Sequence, residues 1–157
     1  MKDHLDFPLY EINRGGGLTF HFPGQWIFYP IINLNHPDYS LKKVVYLTLE
    51  LVKKTLEDEF QISDLSYEGE FLGLWHKTSK MASVGVGVEH FVTYHGLALN
   101  LCRDEKMFSA LAKVNPCGLH SEKYVCLSDV ISSESKNIHS RFQNRFIMIL
   151  ANRLLSP

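Results

Sequence analysis

From Leu41 to Phe60 the apolar residues fall at Leu41, Val44, Val45, Leu49, Val52, Leu56 and Phe60. Steps of three and four residues put them on one face of an α-helix. Ser40, just ahead, is a residue type that caps helix N-termini by accepting a hydrogen bond from the first turn. A long amphipathic helix is therefore predicted to about Phe60, and its apolar stripe must be buried against something else in the chain. The same period recurs from Asn137 to Leu155, with Ile138, Phe142, Phe146, Ile149 and Leu150 on one face.

The remaining apolar runs are short and rich in β-favouring residues. Leu5 to Ile12 reads as a strand entering the glycine-rich loop Arg14-Gly15-Gly16-Gly17, and Leu18 to His21 as a short strand. Trp26 to Ile32 is nearly continuous in apolar residues, as a buried strand would be. Phe71 to Trp75, Lys80 to Val88, Phe91 to Tyr94 and Leu97 to Leu101 complete the set. The order of strands, helix, strands and helix predicts an α+β fold, with helices packed on a mixed or antiparallel sheet. The 157 residues suit a single domain, 1–157, with one sizeable core.

Sixteen basic and seventeen acidic side chains leave a net charge of -1, so no global field draws the chain to nucleic acid or to an anionic membrane. No apolar run is long enough to span a bilayer, and Met1-Lys2-Asp3-His4 lacks the features of a secretory or transit leader. A cytoplasmic location is expected. Cys102, Cys117 and Cys126 are odd in number and form no Cys-x-x-Cys pair, which points away from a disulfide framework or zinc clasp.

Several short strings carry little. Gly85-Val86-Gly87 lacks the third glycine of a dinucleotide fingerprint, and Gly15 to Gly17 is not followed by the Gly-Lys-Ser/Thr of a phosphate loop. Ser40-Leu41-Lys42-Lys43 matches a Ser-x-x-Lys string, but the helix cap explains Ser40. The eight histidines include no His-x-x-x-His or His-Glu-x-x-His spacing, so no metal is expected.

Three segments together carry chemistry. They are Arg14-Gly-Gly-Gly-Leu-Thr-Phe-His-Phe-Pro-Gly-Gln25; Lys80-Met-Ala-Ser-Val-Gly85 with Tyr94-His-Gly-Leu-Ala-Leu-Asn100; and Asn115-Pro-Cys-Gly118. In this order they resemble the lipoyl(octanoyl) transferase family over nearly the whole chain. The resemblance implies the fold of the biotin and lipoate protein ligase superfamily. It also implies transfer of an octanoyl group from acyl carrier protein to a lysine of a lipoyl domain, on a 2-oxoacid dehydrogenase or a glycine cleavage H protein. Cys117 would be the nucleophile and Lys80 its acid/base partner. Arg14, Gly15, Gly16 and Gly17 would wall the substrate pocket, with His21, His95 and Gly96 near it.

The residue types suit that chemistry. A thiol is mostly protonated at neutral pH, and a neighbouring ammonium favours the thiolate that attacks. Attack on a carrier thioester exchanges one thioester for another, and the departing thiolate takes a proton from Lys80. Neutral Lys80 then accepts a proton from the incoming lysine as it forms the more stable amide. No ATP or other cofactor is required.

Each residue also has a plainer reading. Alone, Cys117 is a small buried apolar group, Lys80 a solvated lysine, and His21 and His95 hydrogen-bonding residues of the sheet. Cys102 and Cys126 are assigned to packing. Phe20, Trp26, Phe28 and Tyr29 are core residues first, some of which could line an acyl tunnel. Two departures from the family pattern shape further expectations. Arg14 lies almost at the start, so the usual N-terminal segment is expected to be lacking, and the strand near Leu5 to Ile12 should be an exposed edge or covered by another chain, with self-association expected. Phe22 stands where the family favours glycine and should narrow the pocket. Rival readings are a non-catalytic module that binds an acyl carrier or lipoyl domain, and an ATP-dependent lipoate ligase.

Overall fold

The computed structural model describes residues 10, 19–67, 71–114, 119–131 and 137–155. Among the described residues, five antiparallel strands form one sheet: β1 (Gln25–Phe28), β2 (Leu65–Ser66), β3 (Gly73–His76), β4 (Ser79–Glu89) and β5 (Val92–Asn100), in spatial order β1-β5-β4-β3-β2. Two long helices, α1 (Leu41–Phe60) and α4 (Ile138–Leu155), cover one face. Two shorter ones, α2 (Glu105–Val114) and α3 (Leu127–Val130), follow β5, with a 3-10 turn at Ser121–Lys123 between them. The α+β class and the antiparallel sheet are as the patterning requires.

Helix α1 begins where its cap predicts: Ser40 accepts a hydrogen bond from the Lys43 N–H at 3.2 Å. It ends at Gln61, whose left-handed backbone (φ 56°) turns its N–H back to the Glu57 carbonyl. Val45, Leu49, Val52 and Leu56 are buried against Leu74, Ala82, Leu97 and Leu99 of the sheet and Phe142 and Phe146 of α4. Trp26 of β1 lies edge-on between Phe142 and Phe146, at 4.9 and 4.7 Å between ring centres, and stacks on Phe28 at 5.6 Å. Ion pairs tie the two helices at the rim, Arg141 to Glu59 at 2.9 Å and Arg145 to Asp58 at 2.8 Å.

The run from Trp26 to Ile32 is not a buried strand. Pairing stops at Phe28, and Ile27, Tyr29 and Ile31 are exposed. Pro30 has no N–H for a ladder; the segment is pinned instead by Thr93, whose hydroxyl donates to the Pro30 carbonyl (2.6 Å) and accepts from the Ile32 N–H (2.8 Å). The two strands expected at Phe91–Tyr94 and Leu97–Leu101 are one, β5, because the ladder with β4 runs unbroken from Glu89↔Val92 to Ala82↔Leu99 through Gly96. Helix α2 was not expected. No strand forms at 19–21, and Leu5 to Ile12, apart from Tyr10, lies outside the described residues.

Candidate functional site

Strand pairing divides the sheet into two faces. Trp26, Phe28, Leu97, Leu99, Ala82 and Leu74 face the helices. Their neighbours, Gln25, Ile27, Ala98, Asn100, Ser83 and Gly73, face the other way. Strict alternation would put Lys80 on the helix side with Ala82. It does not, because the register between β3 and β4 shifts between Leu74 and Trp75, so that Leu74 opposes Ala82 while Trp75 opposes Lys80. Met81 is the extra residue and is buried in the core. This β-bulge turns Lys80 onto the face opposite the helices.

Lys80 is 4% exposed. Its Nζ lies 5.6 Å from the ring centre of Phe71 and 5.8 Å from that of Trp75. A buried ammonium is costly unless π faces or an anion are within reach, and here two rings are. The chain after Cys117 comes to this position: Leu119 is buried, the turn at Ser121–Lys123 follows, Tyr124 bridges Lys80 in parallel, and the Val125 N–H donates to the Lys80 carbonyl at 3.1 Å.

Two amides on the same face extend the arrangement. Gln25 and Asn100 are cross-strand partners, and Gln25 Nε2 donates to Asn100 Oδ1 at 2.9 Å. Asn100, 6% exposed, donates through Nδ2 to the Val125 carbonyl at 3.4 Å. At the other end, His21 Nδ1 is 3.1 Å from Gln25 Oε1. His21 and the Lys80 backbone are thus linked through Gln25, Asn100 and Val125. Neither amide was among the residues singled out from sequence, although both sit inside the quoted motifs.

His95 and Gly96 lie further along the sheet, opposite Val86 and Gly85. Val86 is six residues from Lys80, about 20 Å of extended strand. His95 adopts φ 59°, a left-handed backbone uncommon for a residue with a side chain, and its ring lies between Tyr94 (4.9 Å) and Tyr29 (5.5 Å). A Cβ at Gly96 would collide with the Phe28 carbonyl and, at 2.7 Å, with Pro30 Cδ, so the exit from β1 crosses closely over this glycine. Arg14, Gly15, Gly16, Gly17 and Cys117 lie outside the described residues.

Phe22 packs on α2. It is buried with Phe108 of α2 and Cys126, its ring 6.5 Å from that of Phe108 and edge-on to it. Its bulk holds α2 against the 19–25 segment, and α2 ends just before Asn115-Pro116-Cys117. Cys126 is wholly buried, and burial pushes its thiol up to about 12. Burial also raises that of Cys102. Both are packing residues, as assigned. Among the described residues no helix is long and apolar enough to cross a membrane.

Residues 3–146 match the model of the lipoyl protein ligase A/B catalytic domain. Among curated proteins, the chain is 35% identical to an octanoyltransferase of Caldicellulosiruptor bescii over 82% of its own length and 55% of that protein's. It is 38% identical to a chloroplastic octanoyltransferase of Arabidopsis thaliana over 73% of its length and 40% of the relative's. The chain thus spans about half the length of these two relatives. An octanoyltransferase of Rickettsia rickettsii, 35% identical, is matched over 93% of this chain and 73% of its own. The fold is also that of solved ligases: lipoate-protein ligase A bound with ATP (TM-score 0.67, 14% identity, 88% of this chain and 57% of that one) and biotin protein ligase from Aquifex aeolicus (TM-score 0.56, 14% identity, 82% and 53%). With the family model matching most of its length and several octanoyltransferases above 30% identity, the chain belongs to the lipoyl protein ligase A/B catalytic domain family.

Proposed function

We propose that this protein transfers an octanoyl group from acyl carrier protein to a lysine of a lipoyl domain through a thioester on Cys117, with Lys80 as acid/base partner. The observation that carries this reading is the burial of Lys80 between two aromatic rings, at the point where the segment following Cys117 meets β4. A lysine held there by a β-bulge is a poor structural choice and a good acid/base.

In the first half-reaction the Cys117 thiolate attacks the carrier thioester, and the carrier's thiolate leaves with a proton from Lys80. In the second, the acceptor lysine attacks the acyl-cysteine, the C–S bond breaks, and Lys80 recovers a proton from the attacking nitrogen. Between Asn100 and Gly96 the face opposite the helices carries the small residues Ser83, Gly85 and Ala98 and is crossed by Tyr29–Pro30 at Gly96. Four residues of strand measure about 13 Å, enough for an eight-carbon chain to lie along them. Arg14 to Gly17, His21 and His95 would complete the pocket.

The test is intact-protein mass spectrometry after incubation with octanoyl carrier protein. One octanoyl group is expected on wild type and none on Cys117→Ser, while Cys102→Ser and Cys126→Ser load normally. Equal loading of wild type and Cys117→Ser refutes the assignment of the nucleophile. A well-folded wild type that never loads refutes transfer and leaves a binding module.

A further inference from the structure

The hydrogen-bond chain from His21 to Val125 has only one internally consistent polarity. The Val125 carbonyl can only accept, so the Asn100 group 3.4 Å from it must be the donating Nδ2. Asn100 then turns Oδ1 to Gln25, which must donate through Nε2 at 2.9 Å. Gln25 therefore presents Oε1 to His21, and an acceptor 3.1 Å from Nδ1 requires the proton on Nδ1. Reversing both amides would set the Asn100 oxygen against the Val125 carbonyl, two acceptors with no proton between them.

Resting on the transferase reading above, we infer that Gln25 and Asn100 are positioning residues that hold neutral His21 as its Nδ1–H tautomer, leaving Nε2 to accept a proton from the incoming lysine. Of the two substrates, only the lysine carries N–H donors at its reacting atom; the carbonyl and sulfur of the octanoyl thioester offer acceptors alone. An imidazole held with a lone pair on Nε2 therefore matches the second half-reaction. The acceptor ammonium gives one proton to His21 Nε2 and becomes an amine. Its lone pair forms the amide C–N bond as the C–S bond to Cys117 breaks, and the second proton passes to neutral Lys80. His21 leaves this step as imidazolium, Lys80 as ammonium and Cys117 as thiolate, and His21 returns its proton to water before the next cycle.

The placement of Gln25 and Asn100 supports this assignment. Both lie on the face that Lys80 shares, at the same end of the sheet, and Asn100 is buried there. A buried amide with both ends committed rigidifies what it joins.

Two measurements test the inference on the intact protein. Imidazole ¹⁵N NMR at a pH where His21 is neutral, assigned with His21→Gln, should place the wild-type proton on Nδ1. Gln25→Leu and Asn100→Leu should release it to the Nε2–H form that free imidazole favours, and Gln25→Leu, at a half-buried site, suffices should Asn100→Leu not fold. In single-turnover assays Gln25→Leu should slow discharge of the acyl-enzyme to lysine by about tenfold or more while loading stays within about twofold. A wild-type proton on Nε2 overturns the inference, as does equal slowing of loading and discharge, which a merely structural role would give. A wild type with the Nδ1 proton but no octanoyl loading supports the positioning of His21 and overturns the transferase reading instead.

Discussion

Replacing Gly73 with alanine separates the packing around Lys80 from its chemistry. Gly73 opposes Ser83 on the face away from the helices. A Cβ built there falls 2.8 Å from Lys80 Cε and closer still to the Ala82 carbonyl oxygen. Carbon atoms pack best at about 3.5 Å or more, so the lysine stem must withdraw by about 0.7 Å and β3 must part from β4. The stem is flexible but enclosed by Phe71 and Trp75, and the carbonyl belongs to the sheet backbone, so neither yields freely. Overpacking of this kind costs about 1–3 kcal/mol, read as a lower urea midpoint at unchanged slope. Displacements approaching 1 Å at a reacting group can slow a reaction by about a hundredfold, so octanoyl loading of Gly73→Ala should fall at least tenfold while the protein remains folded. Gly87→Ala is the control. The nearest atoms its Cβ would meet belong to the Tyr94 side chain, with Oη at 2.7 Å, far from Lys80. It should cost less and load normally. An unchanged midpoint for Gly73→Ala would refute the packing argument. A lowered midpoint with normal loading would refute the role given to Lys80.

Other substitutions probe the frame. Phe146→Ala removes a ring that is 2% exposed and seated against Trp26 and Phe28, and urea unfolding should show a loss of about 3–5 kcal/mol; a loss under 1 kcal/mol would mean that α4 does not close the core. Thr93→Val keeps the shape but strips the Pro30 carbonyl and Ile32 N–H of their buried partner, at a cost of about 1–3 kcal/mol, with faster amide exchange at Ile32. Burial raises the Cys126 thiol to about 12, so it keeps its proton in the folded state where the unfolded chain gives it up. Stability should therefore fall as pH rises from 9 toward 12, by up to about 1.4 kcal/mol per pH unit more in wild type than in Cys126→Ala. An identical pH dependence would place Cys126 in contact with solvent.

The two long helices were legible because one apolar face over many residues admits no other period. The sheet was legible as a sheet but not strand by strand. Trp26 to Ile32 has the composition of a central strand, yet among the described residues it lies at an edge, and neither exposure nor pinning by Thr93 can be inferred from the run itself. Helix α2 did carry signals: Glu105 in its first turn and Lys113 in its last complement the helix dipole, and Phe108 and Leu111 recur at helical spacing. Lys80 was found through its motif, but period-two reasoning places it on the core side with Ala82. The bulge at Met81, which decides its direction, has no sequence signature. Gln25 and Asn100 meet because β1 and β5 pair in one register across 75 residues of chain. A slip of β1 by one residue would turn Gln25 toward the core and away from Asn100, and only the folded sheet selects against it.

The same geometry explains why polar side chains gather at this end of the sheet. The paired ladder of β4 and β5 stops at Ala82↔Leu99, and the backbone groups beyond it need partners of their own. The Lys80 carbonyl takes the Val125 N–H, the Val125 carbonyl takes Asn100 Nδ2, and the N–H groups of Leu101 and Cys102 both donate to the Gly24 carbonyl. The groups that complete the hydrogen bonding of the fold are thus the ones that link His21 to the strand carrying Lys80. Substitution at Asn100 must disturb both, because removing its amide leaves the Val125 carbonyl and the Gln25 amide each short of a partner, with a penalty of about 1–3 kcal/mol for a buried group. A loss of activity in such a variant therefore carries no information by itself. What separates the two roles is a quantity that stability does not move: the position of one proton on His21, and the ratio of discharge to loading.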